Sequence, residues 1–71
     1  TMMPLAMAKA GEEVTILKIT GKDELRQHLA ELGFVVGETV KVVSEMAGSL
    51  IVQVKDSRVA LDRGMTTRIL I

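Results

Sequence analysis

The chain has 71 residues, 48% of them apolar, with nine basic and nine acidic side chains, no cysteine and one aromatic residue, Phe34. That length admits a single small domain over residues 1–71, and the even charge excludes a strongly basic nucleic-acid binder. The lack of cysteine excludes disulfide staples, thiolate metal sites and a cysteine nucleophile and fits the reducing cytoplasm, while no apolar run approaches the roughly 20 residues of a spanning helix, so membrane insertion is not expected.

Thr1 ahead of Met2 and Met3 reads as a residue added before a native start at one of those methionines. Met2 to Ala8 is too short for a signal peptide, and Lys9 follows the apolar stretch instead of leading it. Val14 to Ile19, rich in β-branched residues after Gly11-Glu12-Glu13, predicts the first strand. From Asp23 to Leu32 the period changes. Leu25, Leu29 and Leu32 fall at i, i+4 and i+7 on one helical face, Asp23 and Glu24 suit the positive end of the helix dipole, and Gly33 stands where a left-handed residue ends a helix. Thr39 to Ser44 alternates as a half-buried strand, and Leu50 to Lys55 pairs with it across the Ala47-Gly48-Ser49 turn. An Asp56-Ser57 turn leads to the strand Arg58 to Leu61, residues 64–67 form one helical turn, and Arg68 to Ile71 is the last strand. The pattern predicts an all-β chain with one short helix, a small five-stranded SH3-like barrel. An OB-type barrel ranks second, because it usually needs more residues and places its helix later.

Catalysis finds few candidates. His28 is the only histidine, and no nucleophile, base and orienting acid assemble around it. The Gly33 to Gly37 loop lacks the lysine and hydroxyl of a nucleotide loop. The chain is therefore not expected to be an enzyme. Glu24, His28 and Glu31 share a helical strip and are candidates for weak binding of a divalent transition metal; the plainer reading of that strip is a solvated helix face, and no other cofactor is expected. Nucleic acid is disfavoured: small barrels stack bases on aromatic side chains, and Phe34, in a turn, is expected to plug the barrel mouth. The basic residues Lys55, Arg58, Arg63 and Arg68 against Asp56 and Asp62 leave residues 55–71 only two positive charges in excess. Proline-rich peptides also need aromatic grooves that this chain cannot build.

What remains is an aliphatic docking surface. A body this small leaves apolar side chains outside, which points to a protein partner or a second copy of the chain. Three places supply such a surface: the helix stripe, which fits a core role equally, the Phe34-Val35-Val36-Gly37 turn, and the Met46 to Leu50 tip. The expected contact residues are Leu29, Phe34, Val35, Met46 and Leu50, with Arg26 as a charge at the rim.

The stretch Leu25-Arg26-Gln27-His28-Leu29-Ala30-Glu31-Leu32-Gly33-Phe34-Val35-Val36-Gly37-Glu38 resembles the core motif of the FeoA family, ferrous iron transport protein A. The likeness continues through Val40 to Val43, the Met46 to Leu50 tip and Val59-Ala60-Leu61, and Met3-Pro4-Leu5 and Gly11-Glu12 match the family's start. Ala60 and Leu61 are expected to face the interior, and Val36 stands where the family commonly has proline. The resemblance implies an SH3-like barrel in the cytoplasm. It also implies an accessory role in ferrous iron uptake, through contact with the membrane transporter FeoB and its GTP-binding domain. Similar barrels form the C-terminal domain of iron-dependent repressors, so a metal-binding or metal-sensing regulatory module is the alternative.

Overall fold

The first strand does not run straight. The structure, a computed structural model, describes residues 2–71; the reading of Thr1 lies outside the described residues. Within it the stretch predicted as one strand divides into β1 (Glu13–Thr15) and β2 (Lys18–Ile19). Its inward residues explain the break. Ile16 is buried, Val14 and Ile19 are partly so, and the spacing 14, 16, 19 skips one residue of a period-2 strand. At the skip the chain changes partners: the Ile16 N–H donates to the Glu38 carbonyl at 2.9 Å, and the Leu17 N–H to the Leu70 carbonyl at 2.8 Å. One bent strand thereby serves two sheets. The larger has the order β1-β3-β4-β5 and the smaller pairs β2 with β6, every pairing antiparallel. With β1 and β2 taken as halves of one strand, the five expected strands are present, together with the expected helix.

β3 (Thr39–Met46) and β4 (Ser49–Val54) form the predicted hairpin. Val40 and Val42 from β3 and Leu50, Val52 and Val54 from β4 point inward at period 2. The register shifts between Val42 and Ser44, so Val43 is an extra residue that curls the strand. β5 (Ser57–Leu61) follows a loop of Lys55 and Asp56, one residue earlier than the predicted turn, with Lys55 in the left-handed region at φ 54°. Leu61 is buried as expected, but Ala60 is exposed. Neighbours on a strand face opposite sides, so both could not point inward.

α1 spans Asp23–Glu31, and its end is built as the glycine predicted. Gly33 has φ 103°, its N–H donates to the Ala30 carbonyl at 3.0 Å, and the Phe34 N–H donates to the Leu29 carbonyl at 2.9 Å. These two bonds are the Schellman closure, with the accompanying apolar pair supplied by Leu29 and Phe34 in the core. α2 (Arg63–Thr66) is a single turn capped by the Asp62 carboxylate, which accepts from the Met65 N–H at 3.0 Å. β6 (Ile69–Leu70) then returns to β2.

The sequence offers no sign of how residues 3–8 are used. Leu5–Met7 forms a 3-10 turn, Leu5 and Ala8 are buried in the core, and Met3 exchanges both backbone hydrogen bonds with Ile71, at 2.9 and 2.8 Å. The amino-terminal segment therefore adds a further edge to the small sheet. A three-residue turn carries no periodicity by which to find it.

Candidate functional site

The Schellman closure fixes where the chain goes next. Phe34 enters the core, and Val35 to Glu38 must reverse direction at once to start β3. The Glu38 N–H donates to the Val35 carbonyl at 3.1 Å, and Gly37 at the third position has φ 92°. Those two features define a type II turn, in which the third residue needs positive φ and the second favours proline. Val36 occupies that second position, where the turn geometry would also accept proline. The turn is also tied sideways: the Gly37 N–H donates to the Ile16 carbonyl at 2.8 Å, and Glu38 accepts from Ile16.

A fixed turn with two valines at its corner presents apolar surface that cannot withdraw. Val35 is 42% exposed and Val36 64%. The backbone of Leu17, 51% exposed, runs across from the turn at Gly37, because the peptide that follows Ile16 is the one bonded to Gly37. Pattern reading placed Leu17 inside a strand and missed it as a surface residue. Its signal was the skipped residue: Val14 and Ile16 set an inward phase from which Leu17 departs.

The other expected contact residues divide sharply. Leu29, Phe34 and Leu50 are buried core residues and bring no surface to a partner. For Leu29 and Leu50 the cause is that apolar spacing on a helix or strand marks a buried face whether the cover is the molecule's own core or another protein. Phe34, in the turn, is drawn into the core by the Schellman closure, in keeping with its expected place as a plug. Arg26 is exposed and forms an ion pair with Asp23 three residues earlier. Met46 is 68% exposed on the hairpin tip. Seven residue steps of strand separate it from Thr39, about 23 Å of rise, so the tip and the valine turn lie at opposite ends of β3. Leu25 and Leu32 are half-buried against the core, so the helix stripe is mostly internal.

The metal strip does not assemble. Glu24, His28 and Glu31 are all exposed on α1, and seven residues put about 10 Å of axial rise between the two carboxylates. Among the described residues, no three histidine, aspartate or glutamate side chains are grouped so as to hold an ion. Spacing on a helical strip placed these groups on one side of the helix without bringing them to one point.

The comparisons with known proteins bear on the family and the fold. Residues 3–71 match the FeoA domain family. A putative Fe(2+) transport protein A of Methanocaldococcus jannaschii is 37% identical over 70 residues, covering 99% of this chain and 85% of that protein. Among solved structures, FeoA of Stenotrophomonas maltophilia, a prokaryotic SH3 domain protein complexed with zinc, superposes with a TM-score of 0.81 at 29% identity, over 94% of this chain and 86% of that one. A manganese-dependent transcriptional repressor superposes with a TM-score of 0.88 at 19% identity; the likeness covers 99% of this chain but 40% of the repressor, and it carries the fold alone. The chain belongs to the FeoA domain family and has its SH3-like fold.

Proposed function

We propose that this member of the FeoA domain family is a non-enzymatic accessory protein of ferrous iron uptake, acting in the cytoplasm by contact with the intracellular domain of a FeoB-type transporter. The family and the ferrous transport protein among its relatives support the pathway. The observation that carries the mode of action is the Val35-Val36 corner, with Leu17 exposed on the chain bonded across from it: large aliphatic side chains held in solvent by a hydrogen-bonded turn. Such preorganised apolar surface suits a protein contact, because little side-chain or loop freedom remains to be lost on binding. Arg26 at the exposed side of α1 and Met46 at the far tip are secondary.

Co-purification with the transporter's cytoplasmic domain tests the reading, comparing wild type with Val36→Asp and Leu17→Asp. Both positions are exposed, so the variants keep the fold while losing the partner. Retention of the partner by both variants would remove this surface from the contact.

The zinc in the Stenotrophomonas maltophilia structure favours a second reading, a metal-binding regulatory module. Calorimetry with zinc and ferrous ion on wild type and His28→Ala separates the two. Equal, weak heats fit the accessory role, and stoichiometric binding lost with His28 fits the metal module.

A further inference from the structure

A second surface of different chemistry lies at the start of α1. Thr20 and Arg68 face each other where β2 ends and β6 begins, the Thr20 N–H donating to the Arg68 carbonyl at 2.8 Å. The chain then turns at Gly21, φ 111°, into Lys22 and the helix. Here Gly21 has a steric role. A Cβ on it would stand 3.2 Å from the Leu25 Cδ2 and 3.6 Å from the Arg68 Cδ. The bare glycine thus leaves a cleft of about 400 Å³, lined by Gly21, Lys22, Leu25 and Arg68. Its floor is aliphatic, from Leu25 and the stem of Arg68, and its rim carries two cations.

Those cations lack a partner. Among the described residues the one ion pair is Arg26 with Asp23, so no carboxylate lies within ion-pair distance of Lys22 or Arg68. Register adds a third charge. Lys18 is opposite Leu70 and Thr20 opposite Arg68, so Lys18 and Arg68 are diagonal neighbours on the outer face of the small sheet, away from buried Ile69. Neither strand of that sheet contributes an acid: residues 14–22 and 63–71 contain Lys18, Lys22, Arg63 and Arg68 and no aspartate or glutamate. The acids that directly flank these stretches are Glu13, Asp23, already paired and followed by Glu24 on the first turn of α1, and Asp62, whose carboxylate caps α2. In a chain of zero net charge, this is a local excess of positive charge around an aliphatic floor.

We propose that this cleft docks an acidic, leucine-bearing segment of a protein partner, the carboxylates meeting Lys22 and Arg68 and the aliphatic side chain lying on Leu25. Charge complementarity selects an anionic occupant, and the leucine floor with no aromatic platform selects peptide over nucleic acid. The site is separate from the valine turn and stands whichever protein supplies the segment.

The test is an amide NMR titration of the whole ¹⁵N-labelled chain with the probe acetyl-Leu-Glu-Glu-Leu-amide. The expected result is saturable shifts at Gly21, Lys22, Leu25 and Arg68. Affinity should fall about tenfold or more in the Lys22→Glu, Arg68→Glu double variant, and similarly for the probe acetyl-Leu-Gln-Gln-Leu-amide. Both substituted positions are exposed, and the dispersion of the same spectra reports the fold of the variant. Absence of shifts at millimolar probe, equal binding of the glutamine probe, or tighter binding of oligothymidylate at the same amides would each overturn the proposal.

Discussion

The two turns that bracket β3 both carry exposed apolar side chains, yet they are built in different ways. At its start, Val35 to Glu38 is closed by its own hydrogen bond, strapped to Ile16 by two more, and anchored through Phe34 in the core. At its end, Ala47 and Gly48 close the hairpin with φ of 51° and 85°, as a two-residue turn of type I′ requires. Open space surrounds a Cβ built on Gly48 and one built on Gly37 alike, so the difference lies in the straps to Ile16 and the Phe34 anchor, which the tip lacks. Alanine at its first position occupies a conformation that costs an L-residue about 1–2 kcal/mol. The valine corner is held surface, whereas Met46 is a flexible thioether beside a turn without those straps. Equal exposure therefore does not mean equal fitness for binding: the held surface loses less freedom when a partner covers it.

Removing the anchor has the largest expected effect. Phe34→Ala deletes the one aromatic side chain and the apolar half of the Schellman closure, and core truncations of this size cost about 3–5 kcal/mol. In a chain this short that approaches the whole stability, so thermal unfolding followed by circular dichroism should show no cooperative transition above room temperature. The comparison fails if Phe34→Ala melts near wild type, because the corner would then be held by something else.

Ala47→Asn sharpens the other side. Asparagine tolerates the left-handed region and is the preferred first residue of this turn, so the hairpin should gain about 0.5–1 kcal/mol in urea unfolding. A loss would mean that the tip is not the strained turn described above.

Val36→Pro should have the smallest effect, about 0.4–1 kcal/mol of added stability. Proline fits the second position of a type II turn and restricts the unfolded chain, and among the described residues no backbone carbonyl accepts from the Val36 N–H. For a domain of this size that is a rise of a few degrees in Tm. A fall would show that the Val35–Glu38 geometry is not type II.

Much of this was legible beforehand, for reasons that differ by residue. Gly33 and Gly37 punctuate the chain because both need positive φ, so the helix end and the turn could be placed without coordinates. The alternation of Val40 and Val42 with Thr39 and Lys41 marked β3 in the same way. Leu29 and Leu50 show where pattern stops: an apolar stripe announces burial without naming what buries it, and here the molecule's own core does. Leu17 was hidden by a bend that depends on a distant partner, Leu70, and the cleft beside Gly21 depends on Arg68, far away along the sequence. Contacts across such separations leave no mark in local periodicity.

The fixed corner, and not the hairpin tip, is the surface proposed above to meet a FeoB-type transporter. Affinity of the whole chain for the purified cytoplasmic domain of the transporter, measured by calorimetry, tests it with Val36→Asp against Met46→Asp. Both sites are exposed, so neither change should shift stability by more than about 0.5 kcal/mol. The account predicts a loss of about tenfold or more for Val36→Asp and wild-type affinity for Met46→Asp; the reverse order, or no loss from Val36→Asp, would contradict it.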